Sequence, residues 1–138
     1  MMKLLSVFAC CCALLVECGA APNIVFVMVD DLGYADLSYT SEDPNPMIRT
    51  PFIDSLANNA GVRLNNYYVN PTCTPTRASL MTGRYAMNSG LPFAVLPGSP
   101  IGIPKNIPLI PEQIKEAGYS THMVGKWHLG YGKWEQVM

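Results

Sequence analysis

The stretch Asn-Ile-Val-Phe-Val-Met-Val-Asp-Asp-Leu-Gly occupies residues 23–33 and decides the fold class. Its first seven residues form an almost continuous apolar run with β-branched side chains, which is typical of a strand buried on both faces of a parallel sheet. Asp30 and Asp31 follow where this run ends. Because α/β folds place their sites just beyond the carboxyl ends of such strands, these two aspartates are candidate site residues.

The rest of the chain alternates between strand patterns and helix patterns. Further strands are predicted over residues 63–69 and 119–124, and helices over residues 51–60, 75–82 and 109–117, separated by a Gly- and Pro-rich loop over residues 90–108. We expect Thr50 and Thr74 to be N-caps, each followed by a proline at the first helical position. Strands that alternate with helices predict an α/β fold with a mainly parallel central sheet flanked by helices.

The first twenty residues have the composition of a secretory signal peptide. Lys3 supplies a positive start, residues 4–16 are apolar, and small residues precede a cleavage site after Ala20. The alternative is a membrane anchor, but the apolar run is shorter than the roughly 20 residues that a spanning helix needs. We therefore predict a signal peptide over residues 1–20, a mature segment over residues 21–138, and no membrane span.

Charge and cysteine content narrow the possible functions. The formal net charge is −1, and the chain has no basic stripe of the kind that binds nucleic acid, so we predict no nucleic-acid partner. Four of the five cysteines lie in the predicted signal peptide, which leaves Cys73 alone in the mature segment. A single cysteine in an exported chain is paired elsewhere, free, or chemically special.

Three polar clusters follow the three predicted strands: Asp30 and Asp31, the stretch from Cys73 to Arg77, and Lys126 with His128. Because the carboxyl ends of parallel strands lie at one edge of a sheet, we expect the clusters to converge. Paired carboxylates suit a hard cation such as calcium, provided that the strand ends before them, and Gly33 permits such a turn. The alternative for this pair alone is a solvated turn.

The other two clusters carry positive charge. Arg77 is expected in the first turn of its helix, where a bound anion would offset the repulsion from the helix dipole. Lys126 and His128 are two residues apart and would share a face of an extended segment, His128 being able to carry a proton near neutral pH. Taken alone, each cluster has an ordinary structural alternative: a buried cysteine beside a surface arginine, and a turn with an unremarkable lysine and histidine.

Together these segments resemble the type I sulfatase family, within the alkaline phosphatase-like superfamily. Residues 71–83 follow the family's first signature, residues 118–128 follow its second, and residues 23–33 are similar to its usual first strand. The resemblance covers nearly all of residues 22–134. Residues 66–68 and 121–130 look most similar to the arylsulfatase B-like members, which remove sulfate from N-acetylgalactosamine in glycosaminoglycans.

The resemblance implies a complete set of site residues. A formylglycine-generating enzyme would convert Cys73 to formylglycine in the endoplasmic reticulum. One calcium ion would be bound by Asp30, Asp31 and the modified Cys73. Arg77 and Lys126 would hold the formylglycine and the sulfate, and His128 would act in proton transfer. The substrate would be a sulfated carbohydrate or an aryl sulfate, and the enzyme would be lysosomal or extracellular.

Two other readings are compatible with the sequence. One is a hydrolase of the same superfamily that acts on phosphonate or phosphate esters. The other is a truncated, catalytically inactive product that only binds a full-length partner or a sulfated glycan. Family members are several hundred residues long and take further metal and substrate ligands from later segments, so we expect this segment alone to be inactive.

Overall fold

The computed structural model describes residues 21–133. The predicted signal peptide, residues 1–20, lies outside the described residues. The chain divides into two units, Met1–Asp31 and Leu32–Met138. None of the helices within residues 21–133 has the length and apolar character required to span a bilayer.

The described part of the first unit, residues 21–31, contains no helix and no strand. The apolar side chains of the predicted first strand are exposed, with Val25, Phe26 and Val27 all more than half accessible. The backbone changes direction at Asp31, whose φ is 57°. The turn after the apolar run is therefore made by the second aspartate, whereas Gly33 has an ordinary extended conformation with φ −75° and ψ 152°.

The described residues of the second unit, 32–133, contain three short α-helices. These are α1 (Pro51–Ser55), α2 (Cys73–Thr82) and α3 (Ile110–Glu116), and they are accompanied by single turns of 3-10 helix at Tyr34–Asp36 and Ala86–Ser89 and of π-helix at Leu56–Ala60. All three α-helices were predicted from the sequence. Thr50 is the N-cap of α1 and Pro51 its first residue, as expected. Helix α2 packs against both α3 and the Ala86–Ser89 turn.

Helix α2 begins earlier than its sequence predicts. Its N-cap is Thr72 and not Thr74, so that Cys73 is itself the first helical residue. The helix ends as predicted at Gly83, whose φ of 65° is the left-handed conformation that favours glycine at this position. The Gly83 N–H donates to the Ser79 carbonyl at 2.9 Å. The shifted start matters because it places Arg77 beyond the first turn.

The predicted parallel sheet is not confirmed, because no β-strand is recorded within residues 21–133. The segments 63–69 and 119–124 carry exposed apolar side chains, including Leu64, Val69 and a fully exposed Val124. A strand is defined by hydrogen bonds to a neighbouring strand, and its apolar faces need covering layers. The described residues supply neither for these segments.

The core of the second unit is assembled mainly from loops. Six of its buried apolar residues form one cluster. Helix α2 contributes one of these side chains and the irregular segments contribute the other five: Ala78, Leu91, Val95, Ile103, Leu109 and Leu129. Met81 and Trp127 pack against this cluster. The region 91–109 contains no helix or strand, as its glycines and prolines predicted. It nevertheless supplies four members of the cluster and therefore determines where the neighbouring segments lie.

A hydroxyl–carboxylate network anchors the start of α1. The Ser38 hydroxyl donates to Asp54 Oδ2 at 2.6 Å, and the Thr50 hydroxyl donates to Oδ1 at 2.8 Å. The Thr50 N–H donates to the Ser38 hydroxyl oxygen at 2.8 Å. The Ser38 hydroxyl is the main reason that the pKa of Asp54 lies below its ordinary value, against a smaller opposing effect of burial.

This network predicts a pH-dependent contribution to the stability of the segment. Because the pKa of Asp54 is lower in the folded state than its ordinary 3.8, the stabilisation is present above pH 3.8 and is lost as pH falls through the folded-state value. We expect Ser38→Ala to raise the pKa of Asp54 towards the ordinary value in a carboxyl NMR titration. Ser55→Ala, beside Asp54 but outside the network, is the matched control. Identical Asp54 titration curves for the two variants would contradict this assignment.

Candidate active site

One face of α2 is buried against the core. Thr74, Arg77 and Ala78 are 0%, 9% and 0% exposed, and Met81 packs against the same cluster. Their spacing of three and four residues is the helical repeat that aligns side chains along one stripe. Cys73 precedes this stripe at the first helical position, where it is a free, half-buried thiol.

The buried face of α2 is hydrogen-bonded to the segment that carries the second signature. The Thr74 hydroxyl donates to the His128 carbonyl at 2.9 Å, and Arg77 Nη1 donates to the Lys126 carbonyl at 2.5 Å. Both contacts span about fifty residues of sequence, which makes them tertiary and not local contacts. The second unit thus brings together the two segments that hold four of the predicted site residues.

His128 is held at both its backbone and its ring. Its φ is 57°, a left-handed conformation that is uncommon for a residue other than glycine. Its ring Nε2 lies 3.0 Å from the Val95 carbonyl oxygen. A carbonyl only accepts hydrogen bonds, so this contact requires the proton on Nε2. In the neutral ring Nδ1 is then the atom with the lone pair, and it is buried without a hydrogen-bond partner.

Tyr131 completes the surroundings of the His128 ring. Its hydroxyl donates to the same Val95 carbonyl at 2.9 Å. The two rings are stacked, with centroids 6.3 Å apart and an interplanar angle of 27°. The ring of His128 is therefore restricted by a hydrogen bond at one edge and by an aromatic ring over its face.

Two geometric expectations for the positive residues need correction. Arg77 is the fifth residue of α2 and not part of its first turn, so it does not sit at the positive end of the helix. The alternation that would place Lys126 and His128 on one face does not apply, because the backbone at His128 is left-handed and not extended. Lys126 is exposed and His128 is half-buried.

Asp30 and Asp31 belong to the first unit. With φ of 57°, Asp31 breaks the alternation of a strand, which would otherwise send neighbouring side chains to opposite faces. Two carboxylates are a hard oxygen donor set, which is the chemistry that calcium prefers. The residues present in this turn are therefore compatible with the predicted calcium ion.

Thr74 and Val95 were not singled out by their sequence, although both contact His128. Thr74 was expected to be a helix cap, and Val95 lies in a stretch that predicted only a loop. Val95 acts through its backbone carbonyl, which has no signature in a sequence.

Two open depressions, of about 620 and 550 Å³, contain none of the predicted site residues. One is lined by Lys105, Asn106, Pro108, Glu112, Gln113, Lys115 and Glu116, and the other by Ser79, Gly83, Arg84, Tyr85 and Asn88.

Comparison with known proteins identifies the family of the chain. The sulfatase family profile matches residues 22–138. The chain is 44% identical over 120 residues to mouse arylsulfatase J, a match covering 83% of this chain and 19% of that protein. It is 42% identical to human arylsulfatase A and 40% identical to human N-acetylgalactosamine-6-sulfatase, each match covering 80% of this chain and 22% of the relative.

These matches define first a class and then a family. The fold implied by the profile is that of the alkaline phosphatase-like proteins. Within that class, the chain belongs to the sulfatase family. The chain spans about a fifth of the length of the curated relatives. No solved structure is significantly similar to it.

The packing beneath His128 can be tested by truncating Leu129. This side chain is 0% exposed, and its carbonyl accepts a hydrogen bond from the Ile103 N–H at 2.8 Å. We expect Leu129→Ala to reduce the free energy of unfolding of its domain by about 2–5 kcal/mol, because the vacated space cannot be refilled. Leu96→Ala removes the same atoms from a side chain that is 70% exposed, and should cost less than about 0.5 kcal/mol in urea unfolding. Equal losses in the two variants would show that the Leu129 contact is not part of a packed core.

Proposed function

We propose that this chain is the N-terminal part of the catalytic domain of a calcium-dependent sulfatase that acts through a formylglycine made from Cys73. The reaction is hydrolysis of a sulfate ester on a sulfated carbohydrate or an aryl alcohol. The observation that carries this proposal is the pair of hydrogen bonds that join α2 to the segment of Lys126 and His128. They bring the nucleophile-bearing helix to the residues expected to bind charge and move a proton.

Arg77 and Lys126 are proposed to offset the negative charge of the sulfate group. A sulfate ester repels a nucleophile through its oxygens, so cationic groups fixed before the reaction lower the barrier more than they stabilise the bound ester. Arg77 is 9% exposed, and its guanidinium donates a hydrogen bond to the Lys126 carbonyl. Its position is therefore set by the fold, whereas the exposed side chain of Lys126 can meet a substrate from solvent.

His128 is proposed to accept and return a proton at Nδ1. The Val95 carbonyl occupies Nε2–H, which leaves Nδ1 as the basic atom of the neutral ring. A general base needs an available lone pair within reach of the proton that it takes. The second hydroxyl of a hydrated formylglycine would be the source of that proton. A serine or cysteine at position 73 would lack this second hydroxyl.

Asp30, Asp31 and the oxygen of a modified Cys73 are proposed to hold one calcium ion. The support is the hard donor set in the turn at Asp31 and the resemblance of residues 23–33 to the family's first strand. When bound, such an ion makes a hydroxyl that coordinates it easier to deprotonate and screens the charge of the sulfate. The aspartates contribute by fixing the ion's position with two negative charges.

Maturation and location follow from the same proposal. Residues 1–20 would direct the chain into the secretory pathway, where a formylglycine-generating enzyme would modify Cys73, and the product would be lysosomal or extracellular. The substrate is proposed to be an N-acetylgalactosamine 4-sulfate type of glycosaminoglycan. The relatives differ in the substrates that their names give, since they include an N-acetylgalactosamine-6-sulfatase and a steryl-sulfatase.

The fate of Cys73 is the decisive test. We expect mass spectrometry of the peptide around residue 73, from protein exported by secretory cells, to show the loss of mass that accompanies conversion of the thiol to an aldehyde. In the complete protein, Cys73→Ser should abolish multiple turnover of an aryl sulfate, because serine has no second hydroxyl with which to release the product. Normal multiple turnover by that variant would exclude the proposed role.

Two comparisons sharpen this experiment. Cys73→Ala is the matched control, since it cannot be modified and should be as inactive as the serine variant while keeping the native circular dichroism spectrum. Phosphate and phosphonate esters of the same aryl alcohol should be turned over more slowly than the sulfate. Faster turnover of the phosphorus esters would identify a different hydrolase of the same superfamily.

The calcium site can be tested without disturbing the backbone. Asn tolerates the left-handed conformation about as well as Asp, so Asp31→Asn removes a negative charge while keeping the turn. We expect calorimetry to show at least about a tenfold loss of calcium affinity, equivalent to about 1.4 kcal/mol. Asp43→Asn, in an exposed loop, is the control and should bind calcium normally. Unchanged affinity in Asp31→Asn would remove Asp31 from the ligand set.

A further inference from the structure

Thr74 lies directly after Cys73 and is completely buried. Its hydroxyl takes part in two hydrogen bonds, both to backbone groups of other segments. It donates to the His128 carbonyl at 2.9 Å and accepts from the Val95 N–H at 3.1 Å. A hydroxyl has a single donor hydrogen, so its donor is fully used and its oxygen still accepts. The side chain therefore has no role in capping α2, whose N-cap is Thr72.

Val95, which Thr74 binds through its N–H, is also bound by the ring of His128. Thr74 binds the N–H of Val95, and His128 Nε2 binds the carbonyl of Val95. The three residues form a closed circuit from Thr74 to Val95, from Val95 to the His128 ring, and from the His128 carbonyl back to Thr74. A change at any one of the three contacts is therefore transmitted to the other two.

The backbone of His128 shows that the circuit is under a constraint. A non-glycine residue with φ of 57° adopts a sparsely populated backbone conformation. Such a conformation persists only when several surrounding contacts hold the residue in it. The Thr74 hydroxyl holds the carbonyl end of His128, and Val95 holds its ring. Without the hydroxyl, the carbonyl of His128 and the N–H of Val95 would both lose the partner they have in this structure.

We propose that Thr74 is a positioning residue, whose hydroxyl fixes His128 with Nε2–H on the Val95 carbonyl and so keeps Nδ1 as the basic atom of the neutral ring. The proposal rests on the sulfatase function proposed above only where it concerns turnover. The orientation and the tautomer of His128 are properties of the folded protein, and they can be measured whether or not it hydrolyses sulfate esters.

The first measurement concerns the unmutated, complete exported protein. Nitrogen NMR of labelled histidine distinguishes a protonated Nε2 from a protonated Nδ1, and His128→Gln identifies the signal by its disappearance. We expect the neutral form of the His128 ring to carry its proton on Nε2. A ring protonated on Nδ1 in the neutral form would overturn the proposal without any change at Thr74.

The second measurement compares Thr74→Val with Thr74→Ser. Valine has the shape of threonine without the hydroxyl, whereas serine keeps the hydroxyl and loses only a methyl group. We expect Thr74→Val to mix the two ring tautomers and to lower kcat by about 10- to 100-fold with KM changed by less than about threefold, since small misplacements of a catalytic group cost about that much. Thr74→Ser should restore the tautomer and most of kcat.

Thr76→Val is the matched control. Thr76 is in the same helix and the same signature, but its hydroxyl donates to the Asn70 carbonyl at 2.7 Å and is hydrogen-bonded to neither Val95 nor His128. The His128 ring signal and the kcat of Thr76→Val should match those of the parent protein. Formylglycine content at position 73 is measured in every variant by mass spectrometry, and kcat is expressed per modified chain, so that a defect in maturation is not counted as one in catalysis.

The outcomes separate the two proposals. If Thr74→Val shows the parent His128 signal and the parent kcat, the positioning role is wrong. If the parent protein turns over no sulfate ester but the His128 signal still changes in Thr74→Val and returns in Thr74→Ser, positioning stands and the proposed function fails. If Thr74→Val is not exported, Thr74→Ala provides the same comparison, and the tautomer of the parent protein decides independently.

Discussion

The contact between α2 and the segment around residue 128 is the constraint on which the rest of the second unit depends. Ala78 and Leu129 are both completely excluded from solvent and belong to one cluster. Leu129 also binds Ile103 through its carbonyl, and the preceding residue binds Thr74. Apolar burial and backbone hydrogen bonding therefore act at adjacent positions of one short segment. This combination explains how a core built largely from loops can fix the position of His128 relative to α2.

Backbone strain coincides with the candidate site. Among the residues that the structure describes, Asp31 and His128 are the non-glycine residues with positive φ, and both were predicted to be site residues from sequence alone. Such conformations cost about 1–3 kcal/mol each and tend to cluster at functional sites. Aspartate tolerates the left-handed conformation, so Asp31 does not have to be glycine. His128 is held in this conformation by hydrogen bonds to its carbonyl and to its ring. The non-glycine residues with positive φ are thus two of the predicted site residues, one in each unit.

The helices were predictable because their signals are local. Proline at the first position of α1, glycine after α2, and helical spacing of apolar residues are read within ten residues of sequence. The approach of the segment with Cys73 and Arg77 to the segment with Lys126 and His128 was predicted only through an assumed sheet, whereas the second unit joins these segments by packing a helix on a loop. The start of α2 was misplaced by two residues, since Thr72 and Thr74 are equally good caps in sequence. The contribution of Val95 had no signal because a backbone carbonyl is common to every residue.

The strand predictions depend on the surroundings of a segment, whereas the helix predictions depend on local signals within it. An apolar run such as residues 23–29 indicates a segment that is suited to strands on both edges and packed layers on both faces. It does not indicate a conformation that the segment can hold alone. Helix α2, in contrast, satisfies its own backbone and needs a partner only for one stripe. Within residues 21–133 the segments of the first kind remain exposed, while those of the second kind are in place. Asp30 and Asp31 thus follow a segment whose pattern suits a sheet, whereas α2 and His128 are held by hydrogen bonds within residues 74–131.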